Sequence, residues 1–174
     1  VQVEVVRSAR RRKTISAQQM GEVLRVSIPA TMTKAEEERW VGVMVRRMQR
    51  RSDAEQVDLS ERARVLAARH GLPVPDAIRW VDNQQSRWGS CTPVDRTVRI
   101  SSRVARFPSW VLDYVIVHEL AHLVVAAHDA RFWSLVDRYP KAERAKGFLI
   151  AKGLDGEAGE AAGEEGAGAA GASA

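Results

Sequence analysis

A chain of 174 residues, 45% apolar and 28% charged, fits one folded domain with a real core, and its formal charge is +5. The one cysteine, Cys91, excludes an intrachain disulfide and a cysteine-based zinc cluster, agrees with a reducing compartment, and reads as a buried, inert thiol. No stretch approaches the roughly 18 apolar residues of a membrane span, and no uninterrupted apolar segment follows the basic N-terminus, so a cytoplasmic protein with no membrane partner is expected.

Residues 1–30 alternate as strands do, with Val1, Val3 and Val5, then Ile15 and Ala17, then Val23, Val26 and Ile28, and with Met20-Gly21 as a turn. They predict a β-meander or hairpin, and Arg10-Arg11-Arg12-Lys13 falls in its first connection as a solvated loop. Thr33 with Glu36 makes a capping box for a helix over about 33–51, whose Trp40, Val43, Met44, Arg47 and Met48 recur at helical spacing as a packing stripe. Asp58 with Glu61 starts a shorter helix stopped by Gly71, Pro73 and Pro75; His70 near its end is expected at the surface, offsetting the helix dipole. From Ala77 a strand, a loop and a hairpin follow: Ile78–Val81, then Asn83–Cys91, a turn at Pro93 and Asp95, and Thr97–Ile100.

The next segment is apolar almost all round from Trp110 to Ala127, which predicts a buried helix with Ser109 after Pro108 as its N-cap. Inside it stands His118-Glu119-Leu120-Ala121-His122. Burying a carboxylate and lone imidazoles costs several kcal/mol unless a charge compensates, and a divalent metal supplies one. Four residues advance about 400°, so both imidazoles lie on one face and reach one ion. Glu119, about 100° further round, points to the side of the metal, placed to take a proton from metal-bound water. This is the logic of the H-E-x-x-H motif.

His128 follows His122 by six residues, so the chain must turn after about Ala126 to bring it back as third ligand. Three protein ligands leave the fourth tetrahedral position open, as catalytic zinc sites do. Metzincins share the histidine spacing but require a glycine where Val125 stands and a downstream methionine turn, whereas all four methionines here precede residue 50. With no glycine to make the turn, Asp129 is the alternative to His128. Beyond it, Phe132 and Trp133 are expected to clamp the returning segment onto the histidine helix. A short helix then runs to Pro140 and a last one over 142–151.

Three pieces together, Ser86-Arg87-Trp88-Gly89-Ser90-Cys91, Leu112 through His122, and His128 with Phe132-Trp133, resemble the YgjP-like and Spartan (SprT)-like branch of the zincin metallopeptidases, over most of residues 1–152. The resemblance implies an α+β zincin-like domain, with a small, mainly antiparallel sheet packed on the histidine helix and further helices around it. It also implies that Trp88, Gly89 and Ser90 form the edge against which an extended peptide pairs; packing in the core is the competing role for Trp88, and a bulge for Gly89.

One body is therefore expected over 1–154, comprising the 1–30 meander, helices over 33–71 and a catalytic core over 77–152. Residues 155–174 hold only Gly, Ala and Ser besides five acids and are expected to form a disordered acidic tail. Removing those five from 22 acids leaves 17 against 27 basic residues, so 1–154 carries +10, a field suited to nucleic acid. The expected function is zinc-dependent hydrolysis of peptides, with one Zn²⁺ on His118, His122 and His128 and with Glu119 as general base. Tyr114, Arg131 and Tyr139 are the nearby oxyanion candidates. The rivals are a nucleotide or phosphoanhydride hydrolase and a nucleic-acid-binding scaffold with a vestigial site.

Overall fold

The computed structural model describes residues 2–84 and 86–160, with side chains as far as 153. Where one body was expected over 1–154, the chain divides into two compact units, Val1–Val57 and Asp58–Ala174. Among the described residues no helix is long and apolar enough to cross a membrane.

The first unit is a three-stranded sheet and one helix: β1 (Gln2–Ser8), β2 (Ser16–Met20), β3 (Val23–Pro29) and α1 (Lys34–Glu55). The order is β1-β3-β2, with β1 parallel and β2 antiparallel to β3, so the expected meander is wrong in its pairing. The reason is local: Gly21, at φ +63°, closes a tight β2–β3 hairpin, and β1 takes the other edge of β3. Leu24, Val26 and Ile28 are buried, and Val41, Met44, Val45 and Met48 of α1 pack against them as the helical stripe predicted. Thr33 and Glu36 form the reciprocal capping box, with Glu36 N–H donating to Thr33 Oγ1 (3.3 Å) and Thr33 N–H to Glu36 Oε2 (2.8 Å). Arg10, Arg12 and Lys13 are exposed, as a solvated connection requires.

The second unit runs α2 (Leu59–His70), β4 (Ala77–Val81), β5 (Gly89–Thr92), β6 (Thr97–Ser101), a 3-10 turn at Ser102–Arg106, α3 (Ser109–Ala121), α4 (Ala130–Val136) and α5 (Ala142–Glu160). Asp58 caps α2 by accepting from Glu61 N–H (3.0 Å), and Gly71 ends it in the left-handed conformation. The sheet is ordered β4-β6-β5, with β4 parallel and β5 antiparallel to β6. The described residues thus form two small mixed sheets instead of one mainly antiparallel sheet, within the α+β class expected.

Helix α3 is the core of this unit: Val111, Ile116, Val117, Leu120 and Ala121 are fully buried, and β5, β6, α2, α4 and α5 pack around it. Its N-cap is Pro108, with no capping side chain; Ser109 is already the first helical residue. His70 is also corrected. It is 8% exposed and edge-on to Tyr139 at 5.7 Å, so burial lowers its pKa, and it is a neutral packing residue, not a surface cation. Finally, α5 continues to Glu160, beyond the expected end at 151, although Gly153, Gly156 and Gly159 each cost a helix about 1 kcal/mol relative to alanine. Of the tail expected over 155–174, residues 161–174 lie outside the described residues.

Candidate metal centre and cleft

Helix α3 places His118 and His122 one turn apart, and it ends at Ala121, earlier than the sequence predicts, with His122 as its C-cap. The turn therefore begins at His122 itself. Among the described residues the only positive φ outside glycine is at Arg96, so 122–128 turns back entirely at ordinary negative φ and needs no glycine at Val125. Asp129 is not a ligand but the N-cap of α4, accepting from Phe132 N–H (2.9 Å). That cap fixes the backbone beside His128.

The three imidazoles converge through their Nε2 atoms. His128 Nε2 lies 3.1 Å from His122 Nε2 and 3.2 Å from His118 Nε2, and the three form a candidate metal-binding group. Tetrahedral zinc with Zn–N of about 2.0–2.1 Å would set its ligand nitrogens about 3.3 Å apart, so the set fits the ion. His122 Nδ1 lies 3.1 Å from the Val125 carbonyl oxygen and donates to it, which leaves Nε2 as the unprotonated nitrogen aimed inward. Inward lone pairs on all three Nε2 atoms would repel one another unless a cation lay among them.

Packing holds this geometry. Phe132, fully buried, stacks on His122 (4.4 Å) and meets His118 (4.8 Å) and His128 (4.6 Å) edge-on, while Trp133 stacks on His128 (5.6 Å). The two aromatics thus clamp the returning segment as expected. Burial, reinforced by His122, His128 and Lys146, pushes the His118 pKa down to about 3; burial also lowers that of His122. Both stay neutral and ligand-competent at neutral pH.

Glu119 is 5% exposed and outside the ligand group. Burial raises its pKa to about 8, and Arg87 opposes the rise; a divalent charge on the imidazoles would act in Arg87's direction and favour the carboxylate. The side chain lies against Gly89 of β5. A Cβ at Gly89 would come within 2.6 Å of Glu119 Oε1 and 2.8 Å of its Cγ, so only glycine fits there.

Gly89 and its neighbours wall a cleft of about 1030 Å³ that holds Trp88, Ser90, Cys91, Tyr114, all three histidines and Glu119. Strand β5 is the edge of its sheet. Trp88 is half-buried, edge-on to Phe107 (5.3 Å) and under the Arg103 guanidinium (4.4 Å), so it both packs and lines the cleft. Ser90 Oγ accepts from Gln84 Nε2 (2.6 Å). Burial and then Glu119 push the Cys91 thiol up to about 11, which keeps it protonated.

Of the oxyanion candidates, only Tyr114 lines the cleft, and burial raises its hydroxyl to about 12. Tyr139 is committed elsewhere, donating to the Trp110 carbonyl (2.9 Å), and Arg131 is exposed and outside the lining. Two charged cleft residues were not foreseen, Arg87 and Lys146. Lys146 comes from α5, lies 4.5 Å over the Trp133 ring, and pairs with Glu143 (2.5 Å) and Asp137 (3.7 Å). No motif spacing marks it, since only tertiary packing brings α5 to the cleft.

The family model of the YgjP-like metallopeptidase domain matches residues 7–150. No curated protein matches the chain significantly. Similar solved structures include the metallopeptidase zymogen abylysin of Pyrococcus abyssi, 20% identical, covering 53% of this chain and 91% of that one at a TM-score of 0.48. The metallopeptidase zymogen jannalysin of Methanocaldococcus jannaschii is 18% identical, covering 55% and 97% at 0.47.

Proposed function

The chain belongs to the YgjP-like metallopeptidase family, and on that premise we propose that it is a zinc-dependent peptidase with Glu119 as its general base. The observation that carries this reading is the convergence of His128 Nε2 on those of His122 (3.1 Å) and His118 (3.2 Å), beside a buried glutamate that takes no part in the ligand set. Zinc held by His118, His122 and His128 would lower the pKa of water and polarise a scissile carbonyl.

The rest falls to the protein. The Glu119 carboxylate accepts the proton of the attacking water and delivers it to the leaving amine. Gly89, by having no side chain, lets that carboxylate lie against β5. Because Ser101 N–H donates to the Trp88 carbonyl (2.9 Å), antiparallel alternation turns the backbone groups of Gly89 and Cys91 away from β6, toward the free edge. An extended peptide can pair there, with Trp88 and Ser90 beside it. The Tyr114 hydroxyl, protonated at neutral pH, is the donor for developing negative charge on the substrate oxygen. Trp88, Trp133, Leu149 and Ile150 make the walls largely apolar, which suits peptide side chains better than phosphates.

Metal analysis of the purified full chain, paired with digestion of a peptide library with and without chelator, tests the proposal. About one zinc per chain and chelator-sensitive cleavage are expected, with zinc lost in His122→Ala. Full zinc occupancy in that variant would overturn the ligand assignment, and a zinc-loaded protein that cleaves no peptide would overturn the peptidase reading.

A further inference from the structure

We propose that Arg87 is a substrate-specificity residue that anchors a carboxylate, so that the cleft selects acidic peptides. The inference rests on the peptidase reading and deepens it.

The argument is one of charge balance inside the cleft. Among the described residues its only lining carboxylate is Glu119, which is buried against Gly89. Its two long cations differ in what they face. Lys146 is matched by Glu143 and Asp137 and lies on Trp133. Arg87 is exposed, lines the cleft, and acts electrostatically on Glu119, yet among the described residues no hydrogen bond or ion pair engages its guanidinium. With a divalent ion on the histidines, the described lining carries surplus positive charge, and Arg87, which acts on Glu119 only through space, is its one long cation without a hydrogen-bond or ion-pair partner among the described residues.

Position turns this surplus into selectivity. Arg87 stands two residues before the edge strand offered to substrate and lines the same cleft, so a peptide paired on that strand passes beside it. A guanidinium binds a carboxylate through two parallel hydrogen bonds, which adds geometric selectivity to the attraction of charge. The carboxylate can be an acidic side chain or the free C-terminus of a peptide; both have the same chemistry.

The test measures binding, so it does not depend on which bond is cut. Fluorescent peptide mixtures, each with one fixed position carrying Glu or Gln and each prepared amidated or with a free C-terminus, are titrated into the zinc-loaded full chain carrying Glu119→Gln. Preference for Glu in amidated peptides, by about tenfold and lost in the added Arg87→Gln, identifies a side-chain carboxylate. Preference only for free C-termini, again lost in Arg87→Gln, identifies the terminal carboxylate. Arg87→Glu should reverse the sign and favour Lys over Glu at the same position. If Arg87 served only to position Glu119, Arg87→Gln would alter the wild-type turnover number equally for acidic and neutral peptides and leave binding preference unchanged; that result, or binding with no preference, overturns the proposal alone. Failure to bind any peptide overturns the peptidase reading with it.

Discussion

In both three-stranded sheets the first strand runs parallel to the third and the second antiparallel to it, giving β1-β3-β2 and β4-β6-β5. Each is followed in the chain by a helix that packs on it. The edge strand β2 is exposed at every position, Met20 included, and carries no charged side chain, whereas β5 is half-buried throughout and walls the cleft. The helices differ in the same sense: α1 offers Val and Met to its sheet, and α3 adds one carboxylate, received by Gly89. Pairing topology is therefore not what makes the site. A glycine on an edge and a glutamate behind it convert the same arrangement from scaffold to cleft wall.

The largest effect should come from the carboxylate. Glu119→Gln keeps shape and all three ligands, so zinc content should stay at the wild-type level while peptide hydrolysis falls roughly 10² to 10⁴-fold. Loss of zinc in that variant would place Glu119 in the ligand set and erase the contrast drawn above. Next is the glycine: Gly89→Ala forces Glu119 aside, and a displacement of about 1 Å is worth roughly 10²-fold in rate, with metal content retained. The matching edge substitution Gln18→Ala should leave kinetics unchanged, and equal effects at the two edges would refute the comparison.

Stability separates the sheets less sharply. Ile28→Ala and Ile100→Ala each remove a fully buried side chain and should each cost about 2–5 kcal/mol in urea unfolding. Only Ile100→Ala should also reduce turnover, because Ile100 is the register partner of Gly89.

The smallest effect concerns His70. Its folded pKa lies below the ordinary value of 6.5, so the unfolded chain binds a proton that the folded chain refuses. Its contribution is present above about 6.5 and is lost as pH falls through and below that value. His70→Phe should flatten the acid limb of a thermal-stability profile below about pH 6.5, and an unchanged limb would show that His70 does not control it.

What could be read from residues alone was whatever short-range geometry dictates. The caps at Thr33 and Asp58 act within three residues, and the His118, Glu119, His122 triplet is set by the helical repeat, so both were legible. Strand partners were not, because alternation gives a buried face but no direction; β1 beside β3 follows from a hairpin claiming the other edge. His70 was misplaced for want of Tyr139, which lies far along the chain yet covers it. Arg87 stood inside a recognisable motif without a readable role, and Lys146 stood outside any. Their function lies in a cleft that exists only after α3, β5 and α5 have packed.

The glycine-free return from His122 to His128 has an entropic consequence. A glycine loop would wander widely whenever the third ligand let go; Leu123, Val124, Val125, Ala126 and Ala127 cannot. Each side chain in place of glycine at a compatible φ narrows the open ensemble by about 0.4–1 kcal/mol. His128 should consequently rebind before the two helix-borne ligands release their ion, lengthening the residence time of the metal without any additional bond to it.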